Sequence, residues 1–286
     1  MNKNSFYGAI IGDIVGSVYE VNEMKAKEKS FIVPFDERVK ILDKNTPLFS
    51  ENCDLTDDSV LTLAIANALI TDKDYEENLR FFGKREQNLG LDKYGRSRFG
   101  QNFLNWINNN GSMPSYGNGC AMRISPIGYA FDTLKETLSE AEKATIPTHN
   151  KPECITFARA TAGAIFLARK NKSKEEIKNF IINETNLTYD YNLEYLQKNY
   201  IFTSKTVNSV PYAFYCFLIS ENFEDCLRKS ISIGGDTDTI AAIACSIAGA
   251  YYGIDDELIK QAKPFINSNY QNIIDDFNKK YVEKCL

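Results

Sequence analysis

The stretch that most limits the fold is TIAAIACSIAGAYYG, residues 239–253. It reads as a helix that stops at Gly253, and its small side chains let neighbouring helices come close. Other segments repeat the pattern. SVLTLAIANALI (59–70) is too long for most strands and rich in Leu and Ala. TFARATAGAIFLARK (156–170) places Phe157, Ala160, Ala164 and Leu167 on one helical face. VPYAFYCFLIS (210–220) is apolar all round, as a buried helix is. Ser173 followed by Glu176 forms a capping box that opens another helix. Strand signals are few, and SFIVPF (30–35) is short and interrupted by Pro34. These observations predict an all-α fold: a compact, multi-helix orthogonal bundle forming one domain over 1–286, with irregular loops at 90–100 and 111–119. Asn and Lys crowd residues 171–200, which we read as a solvated surface.

Bulk properties narrow the function. With 43% hydrophobic and 25% charged residues, the chain has the make-up of an ordinary globular protein. Its formal charge of −5 and lack of a Lys/Arg block make nucleic acid a poor partner, except as a modified substrate. No apolar run is long enough to cross a membrane. Asp13 interrupts the apolar N-terminal run and no A-x-A-like site follows, so that run is not read as a signal peptide. The seven cysteines include no CxxC pair and several lie in apolar runs, which implies a reducing, cytoplasmic setting. With His149 as the sole histidine, a zinc site is a poor fit, and any metal must be held by oxygen.

Two helix starts carry more acid than a helix needs. SIGGDTDTIAAIA (232–244) sets Asp236, Thr237, Asp238 and Thr239 behind a double glycine. LTDDSVLTLA (55–64) sets Thr56, Asp57 and Asp58 before a similar apolar run. Taken singly, each is explained by capping and by the positive end of the helix dipole. Capping needs one carboxylate, however, and adjacent carboxylates repel. Acids that stay charged where hydration is poor need a cation. Thr56, Asp57, Asp58, Asp236, Asp238 and Thr239 are a hard-oxygen set suited to two Mg²⁺ ions, with Mn²⁺ as the alternative.

At this point the chain resembles the ADP-ribosylglycohydrolase family. The resemblance spans nearly the whole length and rests on GAIIGDIVGSVYE (8–20), LTDDSVLTLAIANAL (55–69), SYGNGCAMRISPIGYAFD (115–132), THNKPE (148–153) and SIGGDTDTIAAIACSIAGAYYG (232–253). It implies an all-helical fold with a dinuclear magnesium cleft and hydrolysis of a glycosidic bond to ADP-ribose. Thr56, Asp57, Asp58, Asp236, Asp238 and Thr239 would be the metal ligands, with Asp57 and Asp58 also at the reacting centre. Thr237 falls between ligands as a turn or cap residue. Glu20 would be the general acid/base, with Glu23 as its nearby competitor. Asp13 is read as structural, although it too could sit near the metals. Ser115, Tyr116, Gly117, Asn118, Gly119 and Met122 would form the ADP-ribose loop, Tyr116 offering a ring to adenine or ribose. Arg123 would brace that loop by pairing with an acid. Gly95 and Arg96 occupy the place of a second phosphate loop, and His149 that of a substrate-pocket histidine. Lys151 stands where many relatives carry a second histidine, so any role of that residue is lost. The expected partner is ADP-ribose or an ADP-ribosylated substrate, the expected state a monomer. Two other readings share these residues: a non-catalytic ADP-ribose-binding protein, and a metal-dependent hydrolase of another nucleotide-linked substrate. The acceptor joined to ADP-ribose is not legible.

Overall fold

The computed structural model describes residues 6–109 and 114–283. Cys285 and residues 111–113 of the expected second loop lie outside the described residues. Among the described residues the chain is all-helical, and its one strand-like feature is an isolated antiparallel bridge between Gly117 and Lys205. The expected helices form as Asp57–Thr71, Pro152–Arg169, Thr206–Ile219 and Thr237–Tyr252. The Ser173–Glu176 capping box opens the helix Lys174–Thr185. Among the described residues no helix is long and apolar enough to cross a membrane.

Two helices set the frame. Tyr7–Glu28 packs along Thr237–Tyr252, which is buried from Thr237 to Ala250, backbone against backbone. Gly8, Gly12 and Gly16 make this possible: a Cβ would lie 2.2 Å from Cys245 O at Gly8, 2.4 Å from Ala241 O at Gly12 and 2.5 Å from Asp238 Cα at Gly16. The closeness expected of the small-residue helix is therefore real, and its partner is the N-terminal helix. Phe223–Ser232, Thr206–Ile219 and Pro152–Arg169 pack on other faces of Thr237–Tyr252. One contiguous core runs from Phe6 to Phe277, whose rings meet edge to face at 5.0 Å. Each large aliphatic side chain buried there contributes about 1.5–3 kcal/mol of transfer free energy.

This arrangement brings the helix starts together. Asp57 opens one helix and Asp236 immediately precedes another, while the long first helix brings Asp13 and Glu20 to them. The turn into Asp236 needs both glycines. Gly234 and Gly235 have φ of +74° and +76°, a region L-residues rarely adopt. A Cβ on Gly234 would lie 2.5 Å from Arg38 Cζ, and one on Gly235 would lie 2.2 Å from Tyr200 Cε1.

Candidate functional site

A cleft of about 670 Å³ opens over these helix starts, a size suited to a nucleotide-like ligand. Its floor is acidic. Oxygens of Asp13, Asp58 and Asp238 lie within 4.8 Å of one another, and so do oxygens of Glu20, Asp236 and Asp238. Asp238 belongs to both groups. Asp57 lines the same cleft without joining either cluster. The two halves touch directly: Thr239 Oγ1 donates to Asp58 Oδ2 at 3.2 Å, across 181 residues of sequence.

Capping explains only part of this. Thr56 does cap its helix, its Oγ1 accepting from the Asp58 amide. Asp236 makes no side-chain cap bond; its Oδ2 accepts instead from Asn118 Nδ2 at 2.8 Å. Asp13 is the brace of the other half, accepting from Thr56 Oγ1 at 2.6 Å and from the Thr56 and Ser59 amides at 3.1 Å each. Thr237, at the first helical position, donates its hydroxyl to Gly16 O at 2.8 Å and so pins the second start to the first helix. Asp58 Oδ1 is buried without a hydrogen-bond partner.

The electrostatics are those of acids gathered round one another, with Arg96 the cation that opposes their charge at Glu20. Burial raises Asp236 to about 7, with repulsion from Glu20 adding to it. Burial and then Glu20 raise Asp57 to about 7, and burial raises Asp13 to about 6. Asp58 rises further, from burial and then from Asp238, and Asp238 rises likewise, from burial and then from Asp236. Burial lifts Glu20 to about 8; Asp238 adds to the shift and Arg96 opposes it. An orphaned carboxylate oxygen among crowded hard-oxygen donors is what a divalent cation would satisfy, so these acids could hold a metal.

The Ser115–Gly119 loop forms another wall. Ser115, Gly117, Asn118, Gly119 and Met122 all line the cleft. Asn118 is tied up as a support, its amide donating to Ser209 Oγ as well as to Asp236. The amides of Ser115, Gly117 and Asn118 are spent on Thr148 O, Ser115 Oγ and Ser204 O. Tyr116 is 54% exposed with the Lys151 ammonium 5.0 Å from its ring centroid and does not line the cleft, whereas Phe202 does, along with Phe99, Phe103 and Trp106. His149 is buried and does line the cleft. Thr148 Oγ1 accepts from Arg123 Nη2 at 2.7 Å and hydrogen-bonds His149 Nδ1, also at 2.7 Å. The other ring nitrogen, Nε2, sits against Gly117 and Gly119. Burial and then Arg123 hold the imidazole neutral, well below its usual range.

Arg123 corrects one expectation. Among the described residues it pairs with no acid: it braces the loop through Thr148 and Ala144 O, and burial lowers it to about 10. Gly95, with φ of +76°, is not part of the cleft wall, whereas Arg96 is. Arg96 is bound to Glu20 and Asp92 at 2.8 Å each.

The supporting roles of several residues escaped the sequence, that of Glu23, expected only as a competitor of Glu20, among them. Glu23 is a buried strut, paired with Arg38 at 2.7 Å and accepting from the Gly235 amide. Arg38 also donates to Gln197 O and Ile233 O at 3.1 Å each, gripping the strand of chain that enters the double glycine. Glu23 was legible only as an acid one helical turn past Glu20; Arg38 and Phe202 carry no motif at all.

Comparison with known proteins agrees with this geometry. A model of the ADP-ribosylglycohydrolase family matches residues 3–263. Mouse (Mus musculus) ADP-ribosylhydrolase ARH3 is 27% identical over 311 aligned positions, covering 87% of this chain and 82% of its own. The ADP-ribosyl-[dinitrogen reductase] glycohydrolase of Rhodospirillum rubrum is 30% identical over 150 positions, 49% of this chain and 47% of its own. A solved ADP-ribosylglycohydrolase-related protein complex shares the fold, with a TM-score of 0.67 at 19% identity over 97% of this chain and 96% of the other. A helical frame that joins two distant acid-rich helix starts in one cleft, and a family model that spans most of the chain, lead to one conclusion: the chain belongs to the ADP-ribosylglycohydrolase family and is a glycohydrolase.

Proposed function

We propose that this glycohydrolase depends on divalent metal and releases intact ADP-ribose from a modified target by hydrolysing the bond at the anomeric carbon of the distal ribose. The observation that carries this is the meeting of two carboxylate clusters that share Asp238. Two Mg²⁺ ions fit the donor set best, with Mn²⁺ acceptable to the same oxygens. Thr56, Asp57, Asp58, Asp236, Asp238 and Thr239 would hold them, and Asp58 Oδ1 is the donor already waiting for one. Bound ions supply Lewis acidity that orients and polarises the sugar hydroxyls.

The chain's own groups do the rest. Glu20 protonates the leaving atom as the glycosidic bond breaks, and the resulting carboxylate takes a proton from the water that adds to the same carbon. A single acid serving both steps differs from a two-carboxylate glycosidase. His149 offers the Nε2 edge of a neutral imidazole to the ADP-ribose held against Ser115–Gly119, and Phe202 offers a flat apolar face to adenine or ribose. One continuous core supports the reading of a single domain, and the six described cysteines, all unpaired and buried, support a reducing cytoplasmic setting. We take the working state to be a monomer.

The test is a release assay over Arg-, Ser- and nucleic-acid-linked ADP-ribose, with Mg²⁺ or with EDTA, followed by mass spectrometry of the product. Intact ADP-ribose that appears only with metal is the expected result. AMP as product would show pyrophosphate cleavage instead. ADP-ribose binding by calorimetry without turnover on any substrate would reduce the protein to a binder.

A further inference from the structure

Arg96 occupies the place of a phosphate-binding residue, yet its guanidinium is already committed. Nη1 donates to Glu20 Oε2 at 2.8 Å and Nε donates to Asp92 Oδ2 at 2.8 Å. Nη1 also lies 3.2 Å from Met24 Sδ, one helical turn beyond Glu20. The loop behind it is tightly built. Asp92 Oδ1 accepts from the Tyr94 and Arg96 amides at 2.9 and 2.7 Å, and the Asp92 and Arg96 backbones bond at 2.9 Å. Gly95 turns at φ +76° and donates to Asp92 O at 3.0 Å. Lys93 reaches Glu51 O and Cys53 O, and the Tyr94 hydroxyl reaches Asn52 O. The strap is thus fastened to the segment that leads into Thr56 and Asp57.

Glu20 needs such a hold. It shares a 4.8 Å cluster with Asp236 and Asp238, and like charges would drive a flexible side chain away from them. We propose that Arg96 is a positioning residue: fixed by Asp92, it holds Glu20 Oε2 so that the other oxygen faces the reacting bond, and it does not bind the substrate phosphates. This rests on the acid–base role proposed for Glu20. Misplacing a reacting group by about 1 Å costs roughly 100-fold in rate, which sets the expected effect.

The experiment compares wild type, Arg96→Ala, Arg96→Lys, Glu20→Gln and the Glu20→Gln/Arg96→Ala double variant. The substrate is whichever ADP-ribosylated peptide the wild type hydrolyses with Mg²⁺. Titration with free ADP-ribose runs alongside, and circular dichroism confirms folding. Positioning predicts that Arg96→Ala lowers kcat by roughly 100-fold with KM and the ADP-ribose Kd unchanged, and that Arg96→Lys recovers part of the rate. In the Glu20→Gln background, removing Arg96 should cost nothing more. A rise in KM and Kd with kcat held would make Arg96 a phosphate ligand and overturn the proposal. Additive losses in the double variant would overturn it too, since Arg96 would then act independently of Glu20. If Glu20→Gln itself turned over normally, the fault would lie with the proposed acid–base role, a result distinguishable from both.

Discussion

Substituting Asp236 by Asn should make the metal-free protein more stable, by a margin that grows as pH rises from about 4 to about 7. Asp236 is buried, and its carboxyl is raised from 3.8 to about 7 by burial and by Glu20. Between those two values the folded chain keeps a proton that the unfolded chain has lost. Stability therefore falls as pH rises through that window, and remains low above it. Three units of elevation at about 1.4 kcal/mol each come to roughly 4 kcal/mol. Asn carries no charge and its amide oxygen can still accept from Asn118 Nδ2, so the variant escapes this loss. For a chain of 286 residues, an unfolding entropy of about 0.6 kcal/mol/K makes 4 kcal/mol worth roughly 7 °C. Thermal unfolding in EDTA should find the two proteins alike near pH 3, Asp236→Asn modestly ahead near pH 5, and well above wild type near pH 8. Adding Mg²⁺ at pH 8 should then close more than half of the gap, because ligand at a hundred times Kd stabilises wild type by about 2.7 kcal/mol and the variant has lost a ligand. A variant no more stable than wild type at pH 8 without metal would refute the account of uncompensated buried charge.

Other perturbations follow from the supports of the site. Asn118→Ala removes the bond to Asp236 Oδ2 and should weaken metal binding by about 10- to 100-fold, read by titration with Mn²⁺. Arg38→Met leaves the buried Glu23 carboxylate unpaired and should cost about 3–5 kcal/mol in urea denaturation. Gly235→Ala meets both a φ of +76° and the Tyr200 ring; a loss of at least ~2 kcal/mol is expected, with Asp236 displaced and metal affinity reduced.

Much of the molecule was legible in one dimension because the signals were local. Helix periodicity, the Ser173 capping box and the stop at Gly253 depend on neighbours within a few residues, and all appear as read. The acid-rich helix starts were legible for a related reason: they break a local rule by carrying more charge than a cap requires. Arg123 was misjudged because a buried guanidinium suggests an acid, and here a hydroxyl and a carbonyl take its protons instead. Asp13 could be seen only as an acid in an apolar run. Its partners, Thr56 and Ser59, are more than forty residues away.

By itself, then, the amino-acid order determined that this chain would be helical, that two of its helices would begin in carboxylates, and which hard-oxygen donors were on offer. Tertiary structure alone decided that those beginnings would face each other. The cause is a row of three glycines on the first helix, which lets its backbone lie against the small-residue helix and carries Asp13 and Glu20 to Asp58 and Asp238. It also decided which cations Glu20 and Glu23 would meet. Arg96 and Arg38 arrive from separate stretches of chain, and no local pattern records which carboxylate a guanidinium will reach once the chain has closed.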